Sequence, residues 1–151
     1  MVTKPTLAEM RTIVHNRLKA HSEYLGVKQK DIQLGEVGED ESKPFNVKKS
    51  FIRVYLFQST PSDINQAGRK TRKKGILLCL VGTTSADTVD SSVTSYELGE
   101  KVEALLHGFG DIHRLQEPIF PVKRLKGVSI FGVSFFFIYD SSAQEEPWPN
   151  Q

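Results

Sequence analysis

Val128-Ser-Ile-Phe-Gly-Val-Ser-Phe-Phe-Phe-Ile-Tyr139 is apolar on both of its faces when extended. Alternate side chains of a strand point to opposite sides, which puts Phe131, Val133, Phe135, Phe137 and Tyr139 on one face and Val128, Ile130, Phe136 and Ile138 on the other. The run is shorter than the roughly 18 residues a membrane helix needs, and its β-branched and aromatic content suits a strand. Both faces require cover, since burying one large aliphatic or aromatic side chain is worth roughly 1.5–3 kcal/mol. The remaining sequence offers good patterns for only two helices, so either one helix lies on each face or a second subunit covers one of them.

The first helical pattern opens on Thr6-Leu-Ala-Glu9, a capping box in which the threonine hydroxyl accepts from the amide three residues on and the glutamate reaches back. Leu7, Met10, Val14, Leu18, His21 and Leu25 then recur at spacings of three and four until Gly26, suited to a left-handed C-terminal cap. Thr94-Ser-Tyr-Glu97 repeats the capping signature, and Leu98, Val102, Leu105, Leu106 and Phe109 make a second stripe ending near Gly108. Between the helices, Phe51–Phe57 and Gly75–Val81 read as strands joined by a long antiparallel hairpin, with Gly68-Arg-Lys-Thr-Arg-Lys-Lys-Gly75 at its tip. Residues 27–50 lose periodicity around one short strand at Asp31–Leu34. Pro118 and Pro121 bracket a short extended piece, Ile119–Leu125, which Lys126-Gly127 joins to the final strand as an antiparallel neighbour. The expected fold is therefore α+β, with two helices packed on a mainly antiparallel four- to five-stranded sheet and a long hairpin. At 151 residues the chain suits one domain, residues 1–140, followed by a flexible or partner-bound tail, residues 141–151, with the lone Trp148.

Chemistry-bearing motifs are sparse. Twenty basic against eighteen acidic residues leave a net charge of +2, which argues against a general nucleic-acid or anionic-membrane binder. The single cysteine, Cys79, sits between Leu78 and Leu80, a setting for a buried, inert thiol rather than a nucleophile, and it fits a reducing cytoplasm. The opening Met1-Val-Thr-Lys-Pro lacks the charged, apolar and small-residue succession of a signal peptide, so no export is expected. His15 and His21 stand six apart on a helix, and His107 and His113 flank a glycine-containing turn without cysteine ligands, so no metal is expected. Gly108-Phe-Gly110 and Gly35-Glu-Val-Gly38 are not phosphate loops, and no cofactor is expected. Glu97, Glu100 and Glu103 read as a solvated helix face, the first of them favouring the helix N-terminus. One local feature rises above this background. Arg69, Lys70, Arg72, Lys73 and Lys74 put five cations in six positions, a cluster suited to a phosphate backbone, an acidic protein surface, or simply a soluble loop. No aromatic residue interleaves with them, as a single-strand stacking platform requires.

The order helix, long loop, hairpin, helix and two strands resembles the tail-terminator and tail-completion proteins of tailed bacteriophages and related contractile particles. The nearest local echoes are Thr94-Ser-Tyr-Glu-Leu-Gly-Glu-Lys-Val-Glu-Ala-Leu-Leu-His-Gly108 and, after it, Gly127-Val-Ser-Ile-Phe-Gly-Val-Ser-Phe-Phe-Phe-Ile-Tyr-Asp140. The resemblance implies a non-enzymatic virion protein of the tail or neck, assembled in the host cytoplasm. Six copies would form a ring that caps the tail tube, stops its polymerisation and joins the tail to the neck or head connector. Expected partners are other copies of the chain, the tail-tube protein with the sheath as an open alternative, the neck or head-connector protein, and non-specific contact with passing DNA, with no membrane. Arg69, Lys70, Arg72, Lys73, Lys74 and Trp148 are the candidate partner-binding residues. The alternative from another class is a nucleic-acid-associated module using the basic hairpin tip on phosphates.

Overall fold

The computed structural model of the chain describes residues 4–35, 50–58, 72–83, 88–125 and 128–140. Its first helix starts where the capping box puts it: the Thr6 hydroxyl accepts from Glu9 N at 3.2 Å, and the Glu9 carboxylate accepts from Thr6 N at 3.1 Å. Helix α1 (Leu7–Ala20) buries Met10, Val14 and Leu18. The stripe does not run unbroken to Gly26, however. His21 leaves helical geometry (φ −111°, ψ 28°), and a short helix α2 (Ser22–Leu25) turns Leu25 into the core before Gly26 caps it at φ 72°. A 3₁₀ turn (Gln29–Asp31) then leads into strand β1 (Ile32–Leu34).

Strands β2 (Phe51–Gln58) and β3 (Arg72–Gly82) are the hairpin arms; helix α3 (Thr88–Leu106), β4 (His113–Leu125) and β5 (Val128–Asp140) follow. The five strands lie in the order β1-β2-β3-β5-β4. Strand β1 runs parallel to β2, and every other neighbouring pair is antiparallel. The long apolar strand β5 is thus held on both edges, by β3 and β4.

Three further elements depart from the expected bounds, each for a physical reason. Helix α3 starts at Thr88 rather than at Thr94, so Thr94-Ser-Tyr-Glu97 is helix interior and not a capping box. The Thr94 hydroxyl that would have capped it is hydrogen-bonded to the Thr83 hydroxyl just after β3 instead, and beside it Ser95 Oγ accepts from Thr83 N at 3.0 Å. Ser95 is fully buried, and a buried hydroxyl with a tertiary partner is worth more than an exposed local cap. Strand β4 begins at His113, well before Ile119, and accommodates Pro118 and Pro121 as an edge strand whose register shifts between Arg114 and Ile119 and between Pro121 and Lys123. Strand β3 begins at Arg72, so Arg72, Lys73 and Lys74 belong to the sheet, opposite Asp140, Tyr139 and Ile138, and not to the hairpin tip.

Register places the core. Ile52, Val81 and Phe131 stand side by side on β2, β3 and β5, as do Val54, Cys79 and Val133, and then Leu56, Leu77 and Phe135. Helices α1 and α3 both pack on this face and touch each other. Placing one helix on each face is therefore not the solution this chain adopts. Gly75 lies beneath the Phe137 ring, with no room between them for a side chain. Cys79 is buried as its neighbours suggest, and burial pushes its thiol far above the ordinary range.

Candidate assembly surfaces

The second face of the sheet carries Tyr55 and Phe57 from β2, Ile76 and Leu78 from β3, and Phe136 and Ile138 from β5. All six are half-buried, and no described helix lies over them. At one end Phe51 and Ile130 are buried together with Leu80 packed on them. In the middle Gly132 is roofed by the edge strand: Phe120 crosses over it, so that a Cβ built on Gly132 would stand 2.6 Å from Phe120 Cζ. Filling the space over a strand glycine with an aromatic ring from the neighbouring strand restores packing that the missing side chain leaves out. Phe120 and Val122 remain exposed on β4, the longer of the two edge strands. A further row of rings crosses the other end of this face, with Lys74 Nζ 5.1 Å above Phe136, Phe136 5.3 Å from His113, and His113 6.1 Å from His107.

Of the residues expected to bind a partner, Arg69, Lys70 and Trp148 lie outside the described residues. Arg72 is placed by its backbone, in register with Asp140. Lys73 and Lys74 are successive strand residues and so belong to opposite faces, Lys73 beside Tyr139 on the helix side and Lys74 over Phe136 on the other. The structure does not bring these two cations into one patch. Three of the other residues weighed have structural partners: His15 Nε2 meets Ile32 O at 2.8 Å, His107 Nδ1 accepts from Arg114 N at 3.1 Å, and Glu103 pairs with Arg114 at 2.7 Å. Among the described residues no group of three or more His, Cys, Asp and Glu is placed to hold a metal, and no helix is long and apolar enough to cross a membrane.

The sequence reading missed a second surface. Val93, Tyr96, Glu97 and Glu100 of α3 line a shallow open groove of about 370 Å³ with Phe131 of β5. Tyr96 meets Phe131 edge-on with ring centroids 5.7 Å apart, yet Val93 and Tyr96 stay 53% and 43% exposed. The signal was present in the spacing, because positions 93, 96, 97 and 100 make a helical stripe of their own beside the core stripe. A helix start at Thr94 leaves Val93 off that stripe and puts Glu97 at an N-terminus, whereas α3 starts at Thr88.

No family model matches the chain, and no curated protein does. A solved structure whose description states no function is similar over 90% of this chain and 96% of its own, at 11% identity and a TM-score of 0.45, too slight a likeness to carry an argument.

Proposed function

We propose that the chain is a structural subunit of a homo-oligomeric ring, acting as a tail terminator that caps a tail tube, stops its polymerisation and joins the tail to the neck or head connector. The observation that carries this reading is the one-sided helix layer, which leaves Tyr55, Phe57, Ile76, Leu78, Phe136 and Ile138 half-buried on a face without a described helix. An isolated domain gains from covering such a face, and a ring subunit has neighbours with which to do so. The number six, the position in the tail or neck, and the tube, sheath and connector partners come from the resemblance of helix and final strand to terminator proteins. The role is structural rather than enzymatic. Phosphate-backbone binding has less support, since Lys73 and Lys74 diverge to opposite faces.

Native mass measurement over a dilution series, with and without tail tubes, tests the proposal. A closed ring, seen also as an annulus in negative-stain images, is the expected result. A monomer under every condition would overturn it.

A further inference from the structure

From the groove and the β3 arm together, we infer that the Val93–Tyr96–Glu97–Glu100–Phe131 groove is the docking site for the basic run that leads into β3, Arg69 to Lys73, of a second copy of this chain. The inference rests on the ring reading and specifies its head-to-tail contact. Two properties of the groove call for such an occupant. Its bed is apolar and open, with Val93 and Tyr96 exposed and Phe131 at its base. Its acidic side chains, Glu97 and Glu100, have no ion pair among the described residues, whereas Glu103 on the same helix is paired with Arg114. A segment dense in cations on long aliphatic stems matches both properties, since lysine and arginine stems cover apolar surface while their heads reach carboxylates.

The placement of the described part of the basic run, Arg72–Lys74, favours another copy as its source. Phe131 of the groove stands opposite Val81, near the end of β3, while the basic run enters β3 at its beginning. Eight positions separate Lys73 from Val81, about 26 Å of strand. Arg69 precedes Arg72 by three positions and reaches about 11 Å from it at full extension. Lys73 therefore stands well removed along the sheet from the groove of its own chain. The groove and the described start of the basic run, Arg72–Lys74, lie toward opposite ends of β3, so each subunit offers one to the neighbour ahead and the other to the neighbour behind. Such heterologous contacts close into a ring when the rotation between neighbours allows it.

Charge exchange and cross-linking test the contact on the full chain. Glu97→Lys with Glu100→Lys, and separately Arg69→Glu with Lys70→Glu, should each raise the concentration at which half the chains assemble by about tenfold or more, because like charges brought together across an interface are costly. Combining all four substitutions should restore assembly to within about threefold of wild type. As a second measurement, a chain with Glu100→Cys mixed with one carrying Lys70→Cys should give a disulfide-linked dimer, the buried Cys79 staying silent. A wild-type ring whose assembly is unmoved by the groove substitutions, or which gives no dimer in the mixed cross-link, overturns this contact and leaves the ring reading standing. Loss of assembly in the groove variant without recovery in the fourfold variant also overturns it, since the groove would then hold another segment. A wild-type chain that is monomeric throughout overturns the ring, and this contact with it.

Discussion

Gly75 and Cys79 show how closely the helix-side face is filled. The Phe137 ring is fully buried over Gly75, so a methyl group there has nowhere to go without shifting the ring into its neighbours. Gly75→Ala should destabilise the fold by about 1–3 kcal/mol, measured as a lower midpoint in denaturant with unchanged slope. Cys79 makes a prediction about pH. Burial raises its folded-state pKa, so the folded chain keeps the thiol proton that the unfolded chain begins to release above ~8.5. Fewer protons on the unfolded state mean that stability falls as pH rises, by up to about 1.4 kcal/mol per unit for this one group. The contribution is fully present below that point and is lost progressively above it. Cys79→Val should flatten the decline between pH 9 and 10 by about that slope, while Tyr139, whose folded pKa burial also raises, keeps its own loss near and above ~10. An equal slope in wild type and variant would show that Cys79 does not titrate with unfolding.

Individual elements were legible from sequence where the signal was local, and obscured where a distant residue competed for the same group. The Thr6 and Glu9 side chains each accept from the other's backbone amide, and the helix begins where they put it. Thr94 and Glu97 carry the same signature, but Thr83, just after β3, takes the Thr94 hydroxyl, and no reading confined to neighbouring residues could foresee that. In the sheet, β-branched and aromatic content marked Phe51–Phe57 and Val128–Tyr139 as strands, and alternation gave the two faces of the second, whereas the early starts of β3 and β4 depend on pairing with β5. The α3 groove was lost through the same error about the helix start, and that both helices share one face is a tertiary choice that periodicity does not encode. The two threonine-headed sites should respond differently to substitution. Thr6→Ala removes an exposed cap and should cost about 1 kcal/mol. Ser95→Ala strips a partner from the Thr83 amide beside a fully buried position and should cost about 1–3 kcal/mol. Paired denaturant titrations check the order, and a larger loss at Thr6 would mean that the β3–α3 tie matters less than the local cap.

For the whole molecule, the decisive asymmetry is a sheet with helices α1 and α3 on one side and half-buried aromatic and aliphatic residues on the other. Leu78 is the natural probe, because it lies mid-sheet on that second face between Tyr55 and Ser134, close to the Phe120–Gly132 contact. An arginine at this position can extend its head to water in a lone subunit, so Leu78→Arg should leave the circular dichroism spectrum unchanged and lower the melting temperature by only a few degrees. In an assembly that covers the face, the same head loses its water without gaining a partner, and breaking solvation in this way costs several kcal/mol. Self-association measured by native mass or sedimentation should therefore weaken at least about a hundredfold, far beyond the change in stability. If stability collapses while association is preserved, the cover comes from the chain's own segments and the neighbours meet elsewhere. If neither changes, the face is merely solvated. Only weakened association of a stably folded variant assigns the second face to a neighbouring subunit, and it does so independently of the charges that align hairpin and groove.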